Sequence, residues 1–224
     1  MIVHLLKQFR PTRGKGLVSR LVPITALAAC LFATGVPAQE GSAESGQGKI
    51  ATCMACHGAD GNAIANEATP WPSLASQHSA YLLRQLQAFK SGDRGDVTMQ
   101  TMVAPLNEQD MLDISAYFEE QSMAVKGANP ELVERGQRIY RGGIPERGVA
   151  ACIACHGPDG MGNPLAGYPR VSHQHTAYLT KTLRDYRSGE RRSDAGLNQM
   201  MRNVAEYLLD DEIEALANYM QGLQ

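Results

Sequence analysis

The strongest constraint in this sequence is an internal repeat. Residues Cys53–Gly61 recur as Cys152–Gly160, and residues Gln77–Leu82 recur as Gln174–Leu179, in the same order along the chain. Both members of the first pair contain the pattern Cys-x-x-Cys-His. Colinear matches separated by small insertions indicate that a whole domain of about ninety residues has been duplicated. The chain is therefore expected to fold as two related domains.

Residues 1–38 form an amino-terminal segment that differs from the rest of the chain. A basic stretch is followed by a short apolar run and then by Val36-Pro37-Ala38, a small-x-small pattern. This arrangement is typical of a signal peptide, so we expect cleavage after Ala38 and export to the periplasm. An alternative is lipoprotein processing within Leu27–Cys30, which would leave Cys30 lipidated and the protein tethered to the membrane.

The rest of the chain divides into two predicted domains, residues 39–126 and 127–224. The boundary falls in the stretch 126–130, whose Gly, Asn and Pro residues are typical of a linker. Apolar residues recur at helical spacing and no alternating pattern is long enough for a strand, so we predict an all-α fold of two tandem domains. The clearest stripes lie near the domain ends: Met111, Ile114 and Phe118, and Ile213, Leu216 and Met220. Asn107 and Asp210 are the predicted caps of these two helices.

Charge argues against one class of partner. Removing residues 1–38 takes away five of the 21 basic residues and none of the 23 acidic ones, which leaves a net charge of −7. Such an acidic chain is a poor candidate for binding nucleic acid. The charge is also uneven, because residues 39–126 carry a net charge of −6 and residues 127–224 carry −1. We therefore expect the two domains to dock different partners.

The duplicated Cys-x-x-Cys-His pattern indicates covalent attachment of haem. Two cysteines on one helical turn present their thiols to the two vinyl groups of haem, and the histidine that follows binds the iron. A redox dithiol would not need this histidine, and a zinc site built from the four cysteines would leave both histidines without a role. The predicted attachment residues are Cys53, Cys56 and His57, and Cys152, Cys155 and His156. We expect two covalently bound haem c groups, each with its iron, and each would enlarge a thin core.

The sixth iron ligand is expected to be a methionine in each domain. Alignment of the repeats makes Met99 equivalent to Met201, and a loop methionine downstream of the attachment site can reach the other face of the haem. Methionine is more often a core residue, so the equivalence under the repeat is what favours these two. The neighbouring methionines Met102 and Met200 are expected to pack. The competing candidate for the sixth ligand in each domain is a histidine that the repeat places at a helix start: His78 or His175.

Two further repeated pairs are candidates for supporting roles around the haems. Haem-ligating histidines usually donate their second ring N–H to a carbonyl group, and the carbonyls of Pro72 and Pro169 are suitable acceptors for His57 and His156. Arginines equivalent under the repeat would either neutralise haem propionates or lie in solvated loops: Arg94 and Arg191.

Taken together, these features resemble the dihaem cytochrome c4 family, which consists of tandem class I cytochrome c domains. The resemblance covers the whole chain after the leader and includes Gly46–Ile50, Cys56–Asn62, the two Gln-His-x-x-Tyr-Leu segments, Met99, Met201, Ala116–Phe118 and Asn218–Met220. It implies two haems that face each other across a pseudo-twofold interface. It also implies one His/Met pair on each iron, namely His57 with Met99 and His156 with Met201. Leu209 departs from the pattern, since family members commonly carry a capping serine there.

A six-coordinate iron has no open position for substrate, so we expect outer-sphere electron transfer rather than catalysis. The resemblance implies electron delivery to membrane oxidases or other respiratory partners. We expect a monomer that carries electrons from an upstream cytochrome or quinol-oxidising complex to a terminal oxidase or reductase, such as a membrane haem-copper oxidase. Two alternatives remain open. One is a dihaem redox enzyme, such as a peroxidase or a sulfur-compound dehydrogenase, which would need an exchangeable ligand on one iron. The other is a fixed cytochrome subunit of a larger oxidoreductase.

Overall fold

The helices follow the same order in the two halves of the chain. A computed structural model describes residues 40–224, so the cleavage predicted after Ala38 and the lipidation alternative at Cys30 lie outside the described residues. The helices of the first half are α1 (Ala43–Gln47), α2 (Met54–His57), α3 (Ser79–Ser91), α4 (Val97–Val103) and α5 (Glu108–Glu120). Those of the second half are α6 (Pro130–Gly142), α7 (Ile153–His156), α8 (Thr176–Ser188), α9 (Met200–Ala205) and α10 (Asp210–Gln221).

The all-α prediction is confirmed for this part of the chain. Besides the α-helices, residues 40–224 contain two short 3₁₀-helices, Pro145–Arg147 and Ala195–Leu197, and three isolated β-bridges, but no strand. None of these described helices combines the length and apolar character that crossing a bilayer requires.

The first and last helices of each domain pack against each other at a glycine. A Cβ atom placed on Gly46 of α1 would overlap the backbone carbonyl of Asp113 in α5. Gly136 of α6 meets the carbonyl of Ala215 in α10 in the same way, so both glycines permit close helix contact. The predicted apolar stripes face inward from α5 and α10, as shown by their buried members Ile114, Phe118, Ile213 and Leu216.

The two terminal helices begin differently. Asn107 caps α5 as predicted, because its side chain accepts from the N–H of Asp110 and the Asp110 carboxylate accepts from the N–H of Asn107 at 3.0 Å. The prediction that Asp210 caps α10 is wrong. Leu209 occupies the cap position, and Asp210 lies inside the helix, where its carboxylate pairs with Arg187 at 2.6 Å. The N–H of Leu209 is instead satisfied by Glu212 at 2.9 Å.

Replacing Leu209 with serine is expected to stabilise the protein by about 1 kcal/mol, because a serine hydroxyl at the cap would accept from an unpaired N–H in the first turn of α10. Leu209 is 54% exposed, so little packing would be lost. Denaturant unfolding of the haem-loaded protein measures the effect. The matched control is Leu165→Ser, because Leu165 is fully exposed in a loop. Equal stabilisation by both changes would contradict the capping explanation.

Candidate functional site

Each Cys-x-x-Cys-His segment forms a single helical turn, α2 or α7. The N–H of His57 donates to the carbonyl of Cys53 at 3.0 Å, and that of His156 donates to the carbonyl of Cys152 at 2.9 Å. Both histidines are buried, whereas all four motif cysteines are partly exposed and unpaired by disulfides. The turn therefore brings two thiols and one imidazole to the same side of the chain in each domain.

These turns border one continuous cavity of about 680 Å³ that extends through both domains. Its wall includes both cysteine pairs, both motif histidines and many apolar side chains, and it contains five methionines: Met99, Met102, Met200, Met201 and Met220. A flat apolar macrocycle in each half suits such a wall, because the wall of each half includes a buried imidazole and two cysteines that can form thioethers. The residues present therefore fit two haem groups.

The buried histidines are held in one orientation by backbone carbonyls. Nδ1 of His57 donates to the carbonyl of Pro72, and Nδ1 of His156 donates to that of Pro169, both at 2.9 Å. These are the acceptors that the sequence predicted. Burial lowers the pKa of both histidines, so each imidazole is neutral at pH 7, and Nε2 is the nitrogen left to bind a metal ion.

The cysteine environments argue against a zinc site or a reactive dithiol. Burial raises the pKa of Cys152 to about 12 and also raises that of Cys53, so these thiols remain protonated at neutral pH. Within residues 40–224, no group of three or more His, Cys, Asp or Glu residues is arranged to hold a metal ion. Neither alternative raised by the cysteine spacing finds support in this part of the chain.

The methionine-bearing helices are positioned by two aspartates. In α4, Asp96 caps the helix by accepting from the N–H of Met99 at 2.9 Å. Before α9, the aspartate is Asp194, which is 2% exposed. Its carboxylate accepts from the backbone N–H of Arg202 at 2.9 Å and from Nε of the same arginine at 2.8 Å. Met201 packs against the core of its domain, whereas Met102 is 38% exposed. Sulfur ligation by Met99 and Met201 remains a prediction, since other methionines also line the cavity wall: Met102, Met200 and Met220.

The competing histidines are engaged elsewhere. Nε2 of His78 is hydrogen-bonded to the carbonyl of Met161 at 2.8 Å, and Nε2 of His175 to that of Ala63 at 2.6 Å. Each contact crosses from one domain to the other, and neither histidine lines the cavity. Both occupy cap positions, of α3 and α8, without capping through their side chains.

Arg94 and Arg191 meet at the domain interface beside the cavity. Oε1 of Gln85 accepts from both guanidinium groups, at 2.9 and 2.8 Å. Arg94 also donates to the hydroxyl of Tyr178 at 3.0 Å, and Arg191 to that of Tyr81 at 2.8 Å. Arg191 is only 3% exposed, which excludes the alternative of a solvated loop residue for it.

This interface carries positive charge without acidic partners. Among the described residues, no carboxylate lies within ion-pairing distance of Arg94 or Arg191. Burial alone would raise the pKa of Tyr178, but the two arginines bring it down to about 7. Buried charges normally have a counter-charge, and haem propionates would supply one here.

The glutamines and tyrosines that cross the interface were not predicted from the sequence. Gln77 and Gln174 are 5% exposed and hydrogen-bond to the backbone of the opposite domain. Tyr81 and Tyr178 receive the arginine contacts. One feature of the sequence could have indicated a role for them, because both residue types are kept in both copies of the Gln-His-x-x-Tyr-Leu segment. A single sequence could not show that these side chains point across the interface rather than into their own domains.

Comparison with known proteins agrees with this geometry. The family model described as Cytochrome c matches residues 43–122 and 133–224. The chain is 44% identical over 209 residues to cytochrome c4 of Stutzerimonas stutzeri, covering 89% of this chain and 98% of that protein. It is 33% identical to a thiosulfate dehydrogenase electron acceptor of S. stutzeri strain A1501, covering 90% and 94%. The crystal structure of reduced recombinant cytochrome c4 from Pseudomonas stutzeri matches with a TM-score of 0.78 and 46% identity, covering 82% of this chain and all of that one.

Proposed function

This chain belongs to the cytochrome c4 family of dihaem electron-transfer proteins, and from that premise we propose that it is a periplasmic, outer-sphere electron carrier. The observation that carries the proposal is the single cavity bordered by two complete Cys-Cys-His sets and by the equivalent methionines Met99 and Met201. Haem iron, when bound, supplies reversible one-electron chemistry between its ferric and ferrous states.

The side chains of this protein would each have a defined task at the haems. The cysteines of each motif would anchor a macrocycle, and His57 or His156 would supply a nitrogen ligand to its iron. Met99 and Met201 would supply the second protein ligand through sulfur, so that no position would remain for an exogenous ligand. Methionine sulfur favours the reduced state of iron, and the apolar cavity wall excludes water; both effects raise the reduction potential.

Optical and magnetic spectroscopy of the purified oxidised protein tests this proposal. We expect two haems per chain, both low-spin, with methionine-to-iron charge-transfer absorption from each. The reduced protein should not bind carbon monoxide at either iron. Carbon monoxide binding by one haem of the native protein would instead favour the redox-enzyme alternative, because it requires an exchangeable ligand.

We propose an upstream cytochrome or quinol-oxidising complex as electron donor and a membrane haem-copper oxidase as acceptor. A second candidate donor is a sulfur-oxidising dehydrogenase, which is favoured by two relatives named thiosulfate dehydrogenase electron acceptor, at 33% and 30% identity. Stopped-flow mixing distinguishes the donors. The oxidised protein is mixed with a reduced quinol-oxidising complex in one arm, and with a thiosulfate dehydrogenase and thiosulfate in the other. Rapid reduction in only one arm identifies the donor class.

Neutralising acidic residues of the first domain is expected to slow its reaction with a basic partner. Glu67 and Asp93 are exposed and directly precede segments that line the cavity. In the double variant Glu67→Gln/Asp93→Asn, electron transfer with a basic single-haem cytochrome c should be about two- to threefold slower at low ionic strength, because steering is lost. The rate should also depend less on salt.

The matched control is the double variant Glu146→Gln/Glu206→Gln, which removes two exposed acids from the second domain. It should leave the rate with the basic partner and its salt dependence nearly unchanged. If both double variants slow the reaction equally, or if salt dependence does not change in either, the domains do not differ in docking.

A further inference from the structure

The peptide group between Pro72 and Ser73 connects the two domains to a haem ligand. Its carbonyl oxygen accepts from Nδ1 of His57 at 2.9 Å. Its N–H, on Ser73, donates to Oε1 of Gln174 in the second domain, also at 2.9 Å. Nε2 of Gln174 donates in turn to the carbonyl of Ser73 at 2.8 Å. One glutamine side chain therefore clamps the backbone that orients the histidine of the other domain.

The same arrangement occurs in the opposite direction. Nδ1 of His156 donates to the carbonyl of Pro169 at 2.9 Å, and the N–H of that peptide group, on Arg170, donates to Oε1 of Gln77 at 3.0 Å. Nε2 of Gln77 donates to the carbonyl of Arg170 at 2.9 Å. Two crossed hydrogen-bond chains thus run from a glutamine, through a peptide group, to the buried histidine of the other domain.

Backbone conformation aims both glutamines across the interface. The preceding residues, Ser76 and His173, have φ angles of 56° and 58°, in the left-handed region that non-glycine residues rarely adopt. Their N–H groups are held by the carbonyls of Phe118 and Met220 at 2.9 and 3.1 Å. An unfavourable conformation kept at the same position of both repeats indicates that the direction of the following side chain matters.

Hydrogen bonds on the two sides of a peptide group strengthen each other. When Gln174 accepts from the N–H of Ser73, the carbonyl of Pro72 becomes a better acceptor, and His57 donates to it more strongly. A histidine that donates strongly through Nδ1 is a more basic ligand through Nε2, which favours ferric over ferrous iron. The effect reaches only the haem whose histidine bonds to that peptide group.

We propose that Gln174 and Gln77 are positioning residues, each of which lowers the reduction potential of the haem in the opposite domain. The proposal rests on the dihaem function proposed above. It makes the potential of each haem depend on the docking of the other domain. A separated or misdocked domain would lose the glutamine contact and carry a more oxidising haem.

The test is the variant Gln174→Met in the full-length, haem-loaded protein, because methionine has a similar length and makes no such hydrogen bonds. The equilibrium constant for reducing the first-domain haem should rise about three- to tenfold, which corresponds to about 30–60 mV at 59 mV per tenfold. The second-domain haem should change less than about twofold. NMR redox titration of the resolved haem methyl signals measures both. The Nδ1 proton of His57 should also move upfield in the reduced state.

The mirror variant, Gln77→Met, should shift the second-domain haem instead, so either variant alone is sufficient if the other does not fold. Gln221→Met is the matched control, because Gln221 bonds to Thr176 and Gly127 near the same helix start but not to a peptide that holds a ligand. It should shift neither potential by more than about twofold.

Two results would overturn the proposal. The first is a change in the haem of the same domain as the replaced glutamine. The second is a fall in both potentials together, as expected if a loosened interface only admitted water. Failure of the proposed dihaem function can be distinguished from failure of this proposal, because the oxidised spectra of the same samples would then not show two low-spin haems.

Discussion

Replacement of Met201 by alanine is expected to abolish one of the two methionine-to-iron charge-transfer bands. The reduction potential of the second-domain haem should fall by on the order of 0.1 V, because axial ligands span potentials of about 0.8 V and sulfur favours ferrous iron. The first-domain haem should keep its band. Absorption of the oxidised protein and a potentiometric titration measure both effects.

The adjacent Met200 provides the matched control, since it lines the same cavity one residue away. Met200→Ala should keep both bands. In the first domain, Met99→Ala should remove a band and Met102→Ala should not. Loss of a band in the Met200 or Met102 variant, with retention in the Met201 or Met99 variant, would reverse the assignment of the ligands.

Replacement of Arg191 by methionine is expected to lower the free energy of unfolding by about 3 kcal/mol, because several buried acceptors lose their donor at once. Arg191 donates to groups from both domains, including Tyr81, Gln85 and Ser193. The change should therefore weaken the docking of the domains as well as the fold. Denaturant unfolding of the haem-loaded protein measures the stability.

Arg192 is the matched control, because it is the next residue, is exposed, and its side chain donates to the nearby carbonyl of Gly189. Arg192→Met should change the free energy of unfolding by no more than about 0.5 kcal/mol. If both variants lose the same stability, the buried network does not stabilise the interface.

Local features of the fold were predictable from the sequence to the extent that they depend on nearby residues. The cap at Asn107 follows from a polar side chain directly before an apolar stripe, and the structure confirms it. The bonds of His57 and His156 to prolyl carbonyls span only 15 and 13 residues, within one loop of each domain. The prediction for Asp210 was wrong because the cap position of α10 is one residue earlier, at Leu209, and the carboxylate of Asp210 pairs with Arg187.

Contacts between the domains were not predictable. Gln77 bonds to a residue 93 positions away, and Gln174 to one 101 positions away. The residues around a helix start do not indicate whether a side chain there points across an interface or faces solvent. The same holds for Arg191, whose burial depends on side chains supplied by both domains.

The sequence by itself determined the duplication, the helical fold and the two haem attachment motifs, because covalent attachment needs thiols and an imidazole at one short, fixed spacing. Only the tertiary structure decided that each half accepts a hydrogen bond from a backbone peptide group of the other half, namely the peptide group whose carbonyl accepts from the buried histidine. That arrangement requires both domains to dock with their repeated segments facing each other. Docking depends on surfaces assembled from distant parts of the chain, which no local pattern of residues encodes.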